Sequence, residues 1–84
     1  MKKLKYIIAD GSPILFGEAT NHSDVARGFN VTNAGFCSID FVKGNNREID
    51  DKYKVTCYGE SVTLDKKSDP EFDAGKIERM INYY

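Results

Sequence analysis

Short apolar runs separated by turn residues fill the first part of the chain. Leu4 to Ala9 predicts a strand, and Asp10-Gly11-Ser12-Pro13 predicts the turn after it. Asp-Gly supplies the positive φ of a tight reversal, and Pro13 blocks pairing on one side. Ile14-Leu15-Phe16 then predicts a short second strand, antiparallel to the first. From Asn21 to Phe29 the spacing becomes helical, with Val25 and Phe29 four apart, and predicts a helix of one to two turns. Asn21 or Ser23 is its expected N-cap, Asp24 falls in the first turn, and Gly28 is the expected stop.

The clearest pattern is alternation within two segments, Val31 to Val42 and Tyr53 to Glu60. Cys37, Ile39 and Phe41 share one face of the first; Tyr53, Val55 and Cys57 share one face of the second. A hairpin closing around the polar stretch Gly44 to Lys52 pairs Phe41 with Tyr53, Ile39 with Val55 and Cys37 with Cys57. A slip of one residue would set every apolar side chain opposite a polar one, so only even shifts compete with this register. Gly59 with Glu60-Ser61 marks a bend, and Val62 and Leu64 suggest one more short strand.

Ser68-Asp69-Pro70-Glu71 predicts a helix start in either of two ways. Ser68 caps with Glu71 reaching back, or Asp69 caps with Pro70 in the first helical position. Ile77, Met80, Ile81 and Tyr84 then form one stripe, with Asp73 or Ala74 a turn before, while Lys76, Glu78 and Arg79 face outward. Gly75 weakens this helix and is expected to let it lie close to a sheet. The pattern as a whole predicts an α+β fold in one domain spanning residues 1–84. Four or five antiparallel strands carry the C-terminal helix on one face, and the short helix bridges two hairpins. The expected core is Phe16, Phe29, Phe36 or Phe41, Ile39, Val55, Ile77 and Ile81. One sheet face stays partly uncovered, and that face or an edge strand is the expected contact surface.

Composition narrows the functions. Eighty-four residues bury too little apolar surface to enclose a large cofactor cavity. A net charge of -1 removes the electrostatic basis for tight nonspecific binding to DNA or RNA. The basic start Met1-Lys2-Lys3 precedes an apolar run that stops at Asp10, too short for an export signal, and no run is long enough for a membrane span. A cytoplasmic protein is therefore expected. In that compartment the sequons at Asn21 and Asn30 go unused, and Cys37 and Cys57 are expected to be reduced thiols.

Few residues could carry chemistry. Cys37, Cys57 and His22 are the only soft metal ligands and show no CxxC or CxxH spacing, so no metal or other cofactor is expected. Nucleophilic catalysis by either cysteine needs a neighbouring base that the sequence does not place there. Asn21-His22-Ser23-Asp24 gathers acid, base and hydroxyl, yet at a helix start capping is the stronger explanation. With Glu60 and Ser61 these residues form the one speculative binding site: His22, Ser23, Asp24, Glu60 and Ser61. Lys54, Thr56 and Tyr58 sketch a stacking face for single-stranded nucleic acid, outweighed by the balanced acids. The seven glycines form no phosphate loop, and Asp50-Asp51 reads as a solvated loop.

The words His22-Ser23-Asp24-Val25-Ala26, Ala34-Gly35-Phe36-Cys37, Cys57-Tyr58-Gly59-Glu60-Ser61-Val62-Thr63-Leu64 and Lys67-Ser68-Asp69-Pro70-Glu71-Phe72-Asp73 give the chain a further reading. It resembles a set of small hypothetical proteins of bacteria and their phages, a group with no assigned activity. The resemblance implies a compact single-domain protein of phage or mobile-element origin and no particular chemistry. The expected function is a non-enzymatic interaction or regulatory accessory module that binds a partner protein or a second copy of itself. The alternative is a small ligand-binding protein or enzyme with a shallow polar site around His22, Ser23, Asp24, Glu60 and Ser61.

Overall fold

The hairpin that opens the chain turns on two residues. In a computed structural model, which describes residues 2–42 and 52–82, β1 (Lys2–Ala9) and β2 (Ser12–Phe16) are antiparallel, with Ala9 opposite Ser12. Asp10 and Gly11 both take positive φ, 50° and 84°, the combination a two-residue hairpin of right-handed twist demands. A four-residue helix, α1 (His22–Val25), follows, and the chain leaves it through Gly28 at φ +81°. Asn21 occupies the N-cap position in extended conformation, but its side chain makes no capping hydrogen bond. Of the two expected N-caps, Asn21 and not Ser23 holds the position, and the first turn closes through backbone bonds in which Asp24 and Val25 donate to the Asn21 carbonyl.

β3 (Val31–Val42) and β4 (Lys52–Tyr58) form the second hairpin, with Cys37 opposite Cys57, Ile39 opposite Val55 and Phe41 opposite Tyr53, the register the alternation predicts. Residues 43–51, including Asp50-Asp51, lie outside the described residues, as does Tyr84 of the expected helical stripe. β1 also pairs with β3, giving one four-stranded antiparallel sheet in the order β2-β1-β3-β4. Val62 and Leu64 do not form a strand. They lie in the turn of a miniature hairpin made by β5 (Glu60–Ser61) and β6 (Lys66–Lys67). Asp65 takes φ +53° and donates its N–H to the Val62 carbonyl, and the turn leaves Val62 83% exposed. Asp is among the residues that tolerate this left-handed conformation.

The final helix, α2 (Pro70–Asn82), packs on one sheet face and brings Ile77, Ala74 and Ile81 against Tyr6, Ile8, Cys37, Val55 and Cys57. Pro70 is its first residue, as the second of the two expected starts requires. The opposite face is covered at one end, where Val25 and Ala26 of the α1 region and Leu64 pack with Ile7, Ala9 and Ala34. β1 is therefore buried on both faces from Tyr6 to Ala9, which explains its unbroken apolar run.

Two aromatic residues expected in the core lie outside it. Phe41 has the correct face, but the described pairing of β1 ends at Lys2 opposite Ile39, so among the described residues no third strand flanks Phe41, which is 56% exposed. Phe29 comes after the positive-φ turn at Gly28 and is 47% exposed. Phe16, Phe36, Ile39 and Ile81 are half-buried. Tyr6, Ile7, Ile8, Cys37 and Ile77 provide the deepest burial instead.

Both edges of the sheet are occupied or blunted. On β4 the Val55 N–H donates to Glu78 Oε2 at 3.1 Å, the Tyr53 N–H donates to Asn82 Oδ1 at 2.8 Å, and Asn82 Nδ2 donates to the Tyr53 carbonyl at 2.9 Å. Glu78 and Asn82 stand four apart on α2, a rise of about 6 Å, while two strand residues span about 6.8 Å, so consecutive helical turns meet consecutive outward-facing strand positions. On β2 Pro13 removes one donor. An open β4 edge, one of the two surfaces expected for contacts, is thus not available at Tyr53 and Val55. No helix among the described residues is long and apolar enough to cross a membrane.

Gly75 has a different role from the one expected. A Cβ built there meets nothing within 4 Å, so close helix–sheet approach does not require the glycine. Gly75→Ala is expected to raise stability by about 0.5–1 kcal/mol by reducing the freedom of the unfolded chain, read as a higher urea midpoint at unchanged slope.

Candidate functional site

The five residues singled out in the sequence do not form one cluster of hydrogen-bonded side chains. His22 is buried at the start of α1, where the Phe16 and Phe36 rings approach it edge-on at centroid distances of 5.3 and 5.6 Å. Its Nε2 lies 2.8 Å from the Gly35 carbonyl oxygen. A carbonyl only accepts, so Nε2 carries the proton and donates. Ser61 is also buried, and its Oγ accepts the Leu64 N–H at 3.4 Å and lies 3.3 Å from Thr63 Oγ1. Those bonds hold the β5–β6 turn. Ser23 is half-buried, and Asp24 and Glu60 are exposed. Among the described residues no hydrogen bond joins His22, Ser23 or Asp24 to Glu60 or Ser61.

A second polar group, which the sequence pattern concealed, lies between sheet and helix. Asp73 is fully buried on α2. Its Oδ2 accepts the Tyr6 hydroxyl at 2.5 Å and the Asp69 N–H at 2.8 Å, and its Oδ1 accepts Asn33 Nδ2 at 2.7 Å. One carboxylate therefore ties β1, β3 and the entry of α2 together. Glu71, expected to reach back to Ser68, is exposed, and the Ser68 N–H donates to the Gly59 carbonyl; Asp73, four residues on from Asp69, takes the Asp69 N–H. The signal available in the sequence was an acid on an otherwise apolar helical stripe, facing a strand that carries a tyrosine.

Beside this network Cys37 and Cys57 are buried free thiols. Burial pushes the Cys37 thiol up from its ordinary value of 9.0 to about 11. Burial, and then the neighbouring Cys37, push Cys57 up to about 12. Burial and the hydrogen bond to Asp73 raise Tyr6 well above the ordinary phenol range. All three groups are held in their neutral forms, the reverse of what a nucleophile or general base requires near pH 7. Among the described residues no three of His, Cys, Asp and Glu gather as a metal-binding set.

These shifts carry a pH prediction. The unfolded chain releases the two thiol protons near pH 9 and the phenol proton near pH 10, whereas the folded chain retains them into a higher range. Their contribution is complete below pH 9 and is lost as the pH rises, by up to about 1.4 kcal/mol per pH unit for each group. Thermal unfolding followed from pH 8 to pH 10.5 should show Tm falling from about pH 9 upward. A flat profile would contradict the burial of these groups.

The remaining distinctive feature is aromatic. Phe41 and Tyr53 face each other across the outer end of the β3–β4 hairpin, 5.4 Å between centroids with planes at 64°, and are 56% and 44% exposed. On the opposite face Phe36 and Tyr58 stack at 5.9 Å, with Phe36 drawn inward against His22.

Known protein families, characterised proteins and solved structures yield no match to this chain. The chain's own residues therefore carry the functional reading. The described polar groups with chemical potential are bonded into the fold or lie apart on its surface. The aromatic pair is large, apolar and open.

Proposed function

We propose that this protein acts by binding another protein and not by catalysis, through a contact surface on the outer part of the β3–β4 hairpin centred on Phe41 and Tyr53. The observation that carries this reading is the half-exposed aromatic pair, set side by side on a two-stranded ribbon that projects past the end of β1. A paired ring contact fixes both side chains before any partner arrives, which limits the conformational entropy lost on binding, and aromatic residues are enriched among the anchors of protein interfaces. The commitment of His22, Ser61 and Asp73 to internal hydrogen bonds also favours binding over the alternative of a shallow enzymatic site. A protein partner, either a second copy or a different chain, fits the near-neutral charge of -1 better than a nucleic acid does.

The test compares wild type with Phe41→Ser/Tyr53→Ser and with Phe72→Ser, which removes an exposed aromatic ring from α2. Sedimentation velocity over a wide concentration range reports self-association, and quantitative co-purification from the source cell reports other partners. The reading expects association that the double variant loses by at least about tenfold, equivalent to roughly 1.4 kcal/mol, and that Phe72→Ser retains. Partners kept equally by all three forms, or none with any, would overturn it.

A further inference from the structure

The pairing of β3 with β4 gives Cys37 and Cys57 a geometry that their side chains do not currently use. In an antiparallel ladder, opposed residues alternate between pairs that exchange two backbone hydrogen bonds and pairs that exchange none. The N–H and C=O groups of Tyr53 and the N–H of Val55 point away from β3, to Asn82 and Glu78. Tyr53 and Val55 therefore belong to non-hydrogen-bonded pairs with Phe41 and Ile39, and Cys57, two further along, belongs to the same kind of pair with Cys37. Directly opposed residues of this kind have Cα atoms about 4.5 Å apart, inside the roughly 4.4–6.8 Å span of a disulfide. Both side chains lie on the same sheet face, against Ile77 of α2.

We infer that Cys37 and Cys57 form a redox-active cross-strand pair, closed by a low-molecular-weight disulfide oxidant into a staple between β3 and β4. One cysteine loses its proton to solvent and its thiolate attacks the oxidant, giving a mixed disulfide and releasing one small thiol. The second thiolate attacks the protein sulfur of that mixed disulfide, forming the Cys37–Cys57 bond and releasing the second small thiol. The protein sulfurs are oxidised by two electrons, and the oxidant's disulfide is reduced to two thiols.

Burial sets the rate. Both cysteines are covered in the closed molecule, and their protons are held tightly there, so reaction proceeds from molecules in which α2 has lifted. Once formed, the bond fits beneath the redocked helix, because opposed sulfurs draw together without strand movement. The staple closes a loop of about twenty residues and restricts the unfolded chain more than the folded one. It lies two pairs from Phe41 and Tyr53 on the same face. This inference stands independently of the partner-binding reading.

The test uses the full reduced chain, incubated with oxidised glutathione at pH 8 both without urea and at a urea concentration below the unfolding midpoint. Alkylation of residual thiols and mass mapping follow. The expected product is a monomer lighter by two hydrogens, linked Cys37 to Cys57, formed faster in urea. Its native near-ultraviolet circular dichroism should persist, and its Tm should be about 10 °C or more above the reduced form. Cys37→Ala and Cys57→Ala should each stop at the glutathione adduct. Mixed or intermolecular disulfides in place of the internal one, or an internal disulfide that lowers Tm or abolishes the native spectrum, would overturn the inference.

Discussion

Asp73→Ala is expected to remove about 2–4 kcal/mol of folding stability, the cost of one buried hydroxyl left without an acceptor and of two further hydrogen bonds lost. The substitution deletes the common acceptor of three donors, the Tyr6 hydroxyl, Asn33 Nδ2 and the Asp69 N–H. The Tyr6 hydroxyl, left without a partner in the interior, costs about 1–3 kcal/mol, and each of the two part-buried bonds lost costs about 0.5–1.5 kcal/mol. The donors belong to β1, β3 and the residue just before α2, so the loss falls on the junction between sheet and helix and cannot be absorbed by one loop. A domain of this length holds roughly 4–12 kcal/mol in total, and the alanine variant should sit near the edge of folding. Asp73→Asn keeps the shape and one acceptor oxygen, while its amide points a donor at donors, so an intermediate loss is expected. Tyr6→Phe leaves the carboxylate with two partners and should lose the least of the three. Urea unfolding with an unchanged slope measures the series. An Asp73→Asn midpoint equal to wild type would show that the network does not hold the helix.

Gly35→Ala should be destabilising by about 1–3 kcal/mol, the usual penalty for overfilling a packed site. Its cause is steric. An added Cβ would stand 2.6 Å from the Tyr58 carbonyl oxygen, 3.2 Å from Ser68 Cβ and 3.3 Å from the Gly59 carbonyl oxygen. Two of these are backbone atoms at the place where the chain leaves β4 and crosses β3, so no rotamer change relieves the contact. Gly59 takes φ +76° to make that crossing, and the Ser68 N–H donates to the Gly59 carbonyl at 3.0 Å beyond it. For a domain of this size the penalty corresponds to a fall in Tm of at least about 4 °C. Gly35→Ala and Gly75→Ala make the same chemical change with opposite expected signs, because one added methyl meets backbone and the other meets open space. A Gly35→Ala protein as stable as wild type would mean that β3 and the Tyr58–Gly59 crossing lie farther apart than described.

Much of this architecture was legible because local chemistry and long-range pairing agreed. Asp10-Gly11 specified its turn, and the alternation in β3 and β4 specified which faces meet, leaving only even shifts to compete with the register observed. The failures have physical causes of their own. Phe41, an alternative to Phe36 for the core, shares the apolar face of β3, and face does not reveal where a neighbouring strand ends. Val62 and Leu64 alternate like a strand, but an aspartate willing to adopt positive φ turned the segment into a loop. Tyr6 belongs to the apolar run of β1, but the partner that satisfies its buried hydroxyl, Asp73, comes from the far end of the chain and no local pattern names it. The candidate site was less legible than the fold for the same reason. His22 and Ser61 are polar in sequence, but whether a polar group serves a ligand or its own scaffold depends on which backbone atom comes near it, here Gly35 O and Leu64 N.

The side chains of Glu78 and Asn82 give β4 the hydrogen bonds that another strand would otherwise supply. The imitation has a limited range, because the helix and strand repeats of about 6 and 6.8 Å drift apart with every step. Within those two rungs, the width of the sheet is fixed by a helix. β4 itself, Lys-Tyr-Lys-Val-Thr-Cys-Tyr, carries the β-branched and aromatic residues that favour stacking into extended sheets. Protection of the β4 edge at Tyr53 and Val55 is therefore a property of α2 docking, and strand addition there should follow the small fraction of molecules whose helix has come away.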